Sequence, residues 1–288
     1  MIENLSYCIA NHVFTISGKG MASEMEKLNG FGVFQTDKPA EWSVEFGCDL
    51  PNRDFKLLNS FSFEDLKDLN CYFGCLDDTY VCTMKWTGSQ DEIFRMEYSG
   101  GNVIKATTII ESSRLRFILW LVFNLFSVPL GIMAIHSSTI VCKGKANLFL
   151  GESGTGKSTH TRLWLNNIEG SRLLNDDSPI VAVEEGRVVV YGSPWSGKTP
   201  CYHNICFPVN AFVRLRQEKC NVIEQLNVFQ AFAALQPSTP PVLAYSSFYC
   251  DKIMETLDKI ISKVPVYQLG CLPDADAARL AYNTLYHS

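Results

Sequence analysis

The chain has 288 residues, 47% of them hydrophobic and 19% charged, enough apolar material for one large domain or two smaller ones around a sizeable core. A net charge of −5 offers no general electrostatic footprint for nucleic acid, so no nucleic-acid partner is expected. The eleven cysteines are odd in number, and neither Cys71/Cys75 nor Cys201/Cys206 has a second pair at zinc spacing. The sequence therefore predicts reduced thiols in a cytoplasmic protein, not a disulfide framework or a zinc site.

In chain order, the opening residues Met1 to Ser6 lack a basic stretch followed by a long apolar core, so no signal peptide is expected. Residues 1–110 read as a smaller, antiparallel β-rich region. Its expected strands are Tyr7–Ala10, Gly32–Gln35, Trp42–Phe46, Tyr80–Trp86, Ile93–Tyr98 and Asn102–Thr108, separated by Gly, Asn and Asp clusters of the turn-forming kind. Ser62 to Asp65 reads as the start of a short helix. The aromatic residues here, Trp42 and Trp86 among them, read as core, and no catalytic constellation is visible. Phe117 to Ile135 is apolar enough to suggest a membrane span. Asn124 and Ser127 interrupt it, however, and Pro129-Leu130-Gly131 should stop a helix. The expectation is a buried helix from Glu111 to Phe126, a turn, and a strand near Met133, with no membrane span.

A hairpin follows, with Ile135–Val141 as its first strand, Lys143-Gly144 as its turn and Ala146–Leu150 as its return. The return strand runs straight into Gly151, Glu152, Ser153, Gly154, Thr155, Gly156, Lys157, Ser158 and Thr159, a full match to the phosphate-cradling pattern G-x-x-x-x-G-K-[ST]. Such a loop aims successive backbone N–H groups at phosphate oxygens, and its glycines permit the close approach. Lys157 supplies a point charge for the β/γ-phosphates, the Ser158 hydroxyl a ligand for Mg²⁺, and the following helix, Lys157 to Asn167, its positive end. Leu163 and Trp164 should lie on the inner side of that helix, His160 and Thr161 on its surface, and Thr159 within reach of an α-phosphate.

Downstream, Ser171–Asp177 reads as a strand ending in the paired acids Asp176 and Asp177. A phosphate loop needs a carboxylate partner for Mg²⁺, usually at the end of a neighbouring strand, and a second carboxylate can act as general base. Pro179–Glu184 and Arg187–Tyr191 form a hairpin around Glu185-Gly186. The turn-rich loop Gly192 to Pro200 carries Ser193, Trp195 and Lys198 as candidates to close over a nucleotide or acceptor. Arg214 and Arg216, at the end of the strand expected at Val209–Arg214 and just beyond it, are candidates to stabilise phosphate charge. Val222–Leu235 reads as a helix, Pro237–Pro241 as a break, and Tyr249–Ser262 and Asp274–Tyr286 as helices flanking a strand at Val266–Leu269.

His136, the glycine loop and the Asp176-Asp177 pair together resemble the catalytic core of bacterial HPr kinase/phosphorylase, where a histidine likewise stands fifteen residues before the first loop glycine. The loop and the paired aspartates also resemble the nucleotide site of ATP-dependent phosphoenolpyruvate carboxykinase. The two families share a fold, and the resemblance covers roughly residues 130–285. Among such proteins, the chain is most similar to uncharacterised HPr-kinase-like ones with a Ser-Pro-Trp-Ser-Gly-Lys loop. The resemblance implies an α/β fold, with a phosphoenolpyruvate carboxykinase-like ATP-binding catalytic domain over 111–288. It implies ATP with Mg²⁺, a kinase that transfers phosphate to a hydroxyl on a protein serine or a small molecule, and a homo-oligomer. Asp176 inherits the role of base, Asp177 and Ser158 that of metal neighbours, and His136 that of a substrate or phosphate contact. A carboxykinase-like lyase and a non-catalytic ATP-binding sensor or partner protein are the alternatives.

Overall fold

The computed structural model describes residues 1–63, 66–108, 112–197 and 199–287, and it is a mixed α/β protein with two large sheets. Contacts divide the chain into two units, Met1–Phe126 with Val242–Cys250, and Ser127–Pro241 with Asp251–Ser288. The boundary expected at 110 falls among residues outside those described.

The first unit is built on an eight-stranded sheet in the order β1-β2-β3-β8-β7-β6-β5-β4. Its strands are β1 (Glu3–Ile9), β2 (His12–Gly18), β3 (Trp42–Phe46), β4 (Lys56–Phe63), β5 (Leu66–Leu76), β6 (Thr79–Trp86), β7 (Glu92–Tyr98) and β8 (Val103–Ala106). β1 and β2 join through Ala10 and Asn11, both at positive φ (50° and 65°). That pair of left-handed residues is what a tight two-residue hairpin requires. The sheet is not wholly antiparallel as expected, because β3 lies parallel to both β2 and β8. A parallel neighbour needs a crossover, and the segment between β2 and β3 supplies it with α1 (Met21–Glu26) and a 3₁₀ turn at Phe31–Phe34. This turn replaces the strand expected at Gly32–Gln35. Phe31 and Phe34 are both buried, and a spacing of three fits a helical turn, whereas alternation would send them to opposite faces. Ser62 and Phe63 close β4 and do not begin a helix; Glu64 and Asp65 lie outside the described residues. The apolar helix forms as α2 (Ser112–Ser127), ended by a 3₁₀ turn through Pro129 and by Gly131 at φ 77°. Among the described residues no helix is long and apolar enough to cross a membrane.

The second unit carries β9 (Ile132–Ala134), β10 (Ser137–Cys142), β11 (Lys145–Leu150), α3 (Lys157–Asn167), β12 (Arg172–Asp177), β13 (Ile180–Glu184), β14 (Arg187–Tyr191) and β15 (Cys206–Gln217). β16 (Val222–Gln225), α4 (Val228–Leu235), α5 (Ser247–Ile261), β17 (Val266–Cys271) and α6 (Ala275–His287) follow. α5 begins in the first unit. Seven of its strands run in the order β12-β10-β11-β15-β14-β13-β9, and β17 and then β16 extend the sheet from β15. β10 and the interior of β11 are buried at every position, as expected of central strands covered on both faces. The helix expected over Val222–Leu235 is shorter. β16 takes its first residues as a strand against β17, and α4 starts only after Asn227. There Asn227 Oδ1 accepts from Gln230 N–H and Gln230 Oε1 accepts from Asn227 N–H, both at 3.0 Å, a reciprocal cap that sets the helix start. Phe149, Val213, Leu269, Trp164 and Ala278 belong to one buried core, which holds α3 and α6 on the sheet. All eleven cysteines are unpaired.

Candidate active site

The site residues meet because of strand direction. β11, β12, β15 and β17 all end at the same edge of the sheet, and β10, antiparallel to β11 and β12, begins there. One register row crosses that edge: Asp177 on β12 pairs with Ser137, Ser137 with Leu150, Leu150 with Arg214, and Arg214 with Gln268. The neighbouring row joins Asp176 to Ser138 and Ser138 to Phe149. Side chains alternate across a strand, so the two aspartates face opposite sides of the sheet. Asp176 shares the side of Phe149, the α3 side, since the Phe149 ring packs on His160 and Trp164.

The glycine loop leaves β11 at Gly151 (φ 152°), where a Cβ would collide with the Thr155 hydroxyl. Gly154 and Gly156 adopt φ 82° and 103°, and added Cβ atoms there would meet nothing within 4 Å, so the loop is open at both positions. Gly156 is also the N-cap of α3, and no side chain caps that end. The first backbone N–H groups of α3 thus remain aligned for an anion. Lys157 Nζ donates to the carbonyls of Gly151 (2.7 Å) and Glu152 (3.2 Å). Burial lowers its pKa from the usual lysine range, while the charges of Asp177 and then Asp176 pull it back up and Arg214 pushes it down. The ammonium therefore lies in the field of both carboxylates. Glu152, Ser153 and Thr159 are exposed.

Asp176 is buried, with a short contact from the Ser138 hydroxyl to Oδ1 and with Ser158 Oγ 3.4 Å from both carboxylate oxygens. Asp177 is more open: its side chain is 42% exposed, and Oδ1 lies 3.3 Å from Nδ1 of His136, itself 45% exposed. His136 sits in the two-residue step between β9 and β10, not within a strand as expected. That step is where the chain leaves the β13 ladder for the β11 and β12 ladders. Its backbone N–H is tied to the Ser238 carbonyl at 2.7 Å. Among the described residues no group of three or more His, Cys, Asp or Glu side chains is placed to hold a metal. A nucleotide-bound Mg²⁺ asks for less, one or two hard oxygen donors beside phosphate oxygens and water, and Ser158 with Asp176 fits that description.

Several other candidates take different places. Ser193 and Trp195 are buried, not poised over the site. Asn175 Nδ2 donates to the carbonyls of Ser193 and Trp195, and Ser193 Oγ donates to the Ser178 carbonyl at 2.6 Å, so this part of the loop is pinned under β12. Gly197 N–H donates to the Asp176 carbonyl at 2.6 Å, and a Cβ at Gly197 would come within 2.8 Å of that oxygen. Lys198 lies outside the described residues. Arg214 donates to the Ala234 carbonyl at 3.0 Å and stands 3.8 Å from Glu152; Arg216 pairs with Glu218 at 2.9 Å. His160 and Thr161, expected on the surface of α3, are buried, because α3 turns them with Trp164 toward the sheet. Ser138 and Gln217, which bonds the Gly154 carbonyl at 3.2 Å, escaped the sequence reading. Ser138 carries a weak signal two residues after His136, whereas Gln217 carries none.

No family model matches the chain, and no curated protein matches it. Among solved structures, the HPr(Ser) kinase/phosphatase from Coxiella burnetii is similar at 13% identity, over 54% of this chain and 93% of that one, with a TM-score of 0.31.

Proposed function

We propose that this chain transfers the γ-phosphoryl group of ATP to a hydroxyl acceptor, in the manner of an HPr-kinase-like phosphotransferase. The observation that carries the reading is the convergence of the open glycine loop, Lys157, Ser158, both aspartates and His136 on one sheet edge. The loop N–H groups and Lys157 hold the β- and γ-phosphates and stabilise the charge that moves to the bridging oxygen. Mg²⁺, held by Ser158 and Asp176, would neutralise the β/γ oxygens as a Lewis acid. The acceptor oxygen bonds to the γ-phosphorus as its bond to the β–γ bridging oxygen breaks. The acceptor proton passes to a carboxylate, and ADP leaves with the bridging electron pair.

The geometry favours Asp177 as that carboxylate, the reverse of the assignment implied by the family resemblance. Asp176 is buried and engaged by two serine hydroxyls, a setting for a metal neighbour. Asp177 is open to an incoming acceptor, and His136 orients it. The test is a pair of variants assayed with γ-labelled ATP against serine peptides, small alcohols and water. Asp177→Asn should lower kcat by about 10²–10⁴-fold and leave ATP affinity within about threefold, the scale of losing a general base. Asp176→Asn should instead raise the Mg²⁺ concentration for half-maximal rate by about tenfold or more, the effect of losing a charged ligand. The opposite pattern would restore Asp176 as base. ATP consumption that depends on oxaloacetate and releases CO₂ would favour the lyase. Tight ATP binding with no transfer to any acceptor, water included, would favour a sensor.

A further inference from the structure

Asp176 is held at both of its ends. Ser138, its register partner on β10, is 1% exposed, and Asp176 itself is 5% exposed. The Ser138 hydroxyl donates to Oδ1 of the carboxylate. On the outer edge of β12, the Asp176 carbonyl accepts from Gly197 N–H at 2.6 Å, beside a bridge between Asp177 and Ser196. The neighbouring Ser137 hydroxyl, which alternation sends to the other face, turns back to the Ile135 carbonyl at 3.2 Å. A serine on β10 therefore does not meet a carboxylate by default. Ser138 does so because the register sets it opposite Asp176 with both side chains buried on one face.

The two oxygens of Asp176 are consequently unlike. Oδ1 takes the one proton that the Ser138 hydroxyl has to give. Among the described residues, the one hydrogen-bond contact of Oδ2 is Ser158 Oγ at 3.4 Å, longer than an ordinary O–H···O bond. Oδ2 is the oxygen left for a cation, and a carboxylate that turned to offer both oxygens would lose Ser138. Asp177 has no comparable hold: its Oδ1 lies 3.3 Å from His136, its Oδ2 3.3 Å from the adjacent Ser178 hydroxyl, and its side chain is 42% exposed. Ion size gives the difference a consequence. Mg²⁺ demands a narrow octahedral arrangement, whereas Ca²⁺ takes carboxylates through one oxygen or both.

We propose that Ser138 is the positioning residue of the metal site. It locks the Asp176 carboxylate so that Oδ2 is presented beside Ser158, and by keeping Oδ1 engaged it biases the site toward a small divalent ion over Ca²⁺. The inference rests on the reading of the loop, Ser158 and Asp176 as a site for a metal nucleotide, and the test separates the two. Binding of ADP alone, Mg-ADP and Ca-ADP is measured by calorimetry on the full chain, on Ser138→Ala, on Asp176→Asn and on the double variant. Ser138→Ala should weaken Mg-ADP by about tenfold, the scale of removing a group that orients a metal ligand. It should weaken Ca-ADP by less, so that the preference for Mg²⁺ narrows, and should leave ADP alone within about twofold, because the hydroxyl touches the carboxylate and not the loop. In the double variant, Ser138→Ala should add no further loss to that of Asp176→Asn, since the two act as one unit. Mg-ADP affinity unchanged in Ser138→Ala overturns the proposal. So do equal losses for ADP with and without metal, losses that simply add in the double variant, or an unaltered preference for Mg²⁺ over Ca²⁺. In each of these cases a metal-dependent loss in Asp176→Asn leaves the site reading standing. A wild-type chain whose ADP affinity ignores both metals removes the site reading and the inference together.

Discussion

The two sheets use buried charge in opposite ways. In the first, Arg95 is 1% exposed, and every part of its guanidinium is occupied: Nε by Glu97 at 2.7 Å, Nη1 by Glu92 at 3.3 Å, and Nη2 by the Arg53 carbonyl at 3.1 Å. Each guanidinium nitrogen thus has a partner within its own unit. In the second, the hydrogen bonds of Lys157 among the described residues go to carbonyls of its own loop, and the nearby carboxylates act on it through space. A phosphate can replace those carbonyls without leaving a buried charge stranded. Saturated charge reads as architecture, and charge with exchangeable partners at an open strand edge reads as a site.

That contrast can be broken by substitution. Arg95→Met should destabilise the protein by about 3–5 kcal/mol, because the half-buried Glu92 and Glu97 would be left unpaired. Urea unfolding reads this, and a loss below about 1 kcal/mol would mean that the cluster is not saturated in the sense argued. Lys157→Ala should do the reverse. The phosphoryl-transfer rate should fall by about 10²–10³-fold, the scale of removing one preorganised charge, with the urea midpoint nearly unchanged. A comparable fall in stability would make Lys157 structural.

Smaller effects sharpen the picture within the second sheet. Burial lowers the His160 pKa to about 4, from an ordinary value of 6.5. The unfolded chain then binds a proton that the folded chain refuses, so this group's share of stability is complete above the ordinary value and is lost as pH falls toward 4. The loss should be on the order of 3 kcal/mol at the acid end. His160→Gln, compared with wild type by denaturant titration at several pH values, should flatten that part of the slope, and an unchanged slope would assign it elsewhere. Asn175→Ala should cost about 1–3 kcal/mol by stranding the carbonyls that hold the Ser193–Trp195 loop under β12. It should also weaken phosphoryl transfer, since Gly197 from the same loop bonds the Asp176 carbonyl. Transfer at the wild-type rate would separate the loop from the site.

The features legible in the sequence were those written in neighbouring residues. Lys143-Gly144 and Glu185-Gly186 announced their turns, and both pairs adopt positive φ. The strand into Gly151, the loop and α3 followed from a contiguous pattern, as did the strand ending in Asp176-Asp177. What stayed hidden depends on pairing between distant segments. The parallel insertion of β3 and the contact of Ser138 with Asp176 both join residues far apart in the chain. The same division holds for the aspartates. The sequence by itself determined that two acids would stand side by side after a phosphate loop. Only the tertiary structure decided which one meets Ser158 and which meets His136, because alternation sends adjacent residues to opposite faces and long-range register decides what waits on each face.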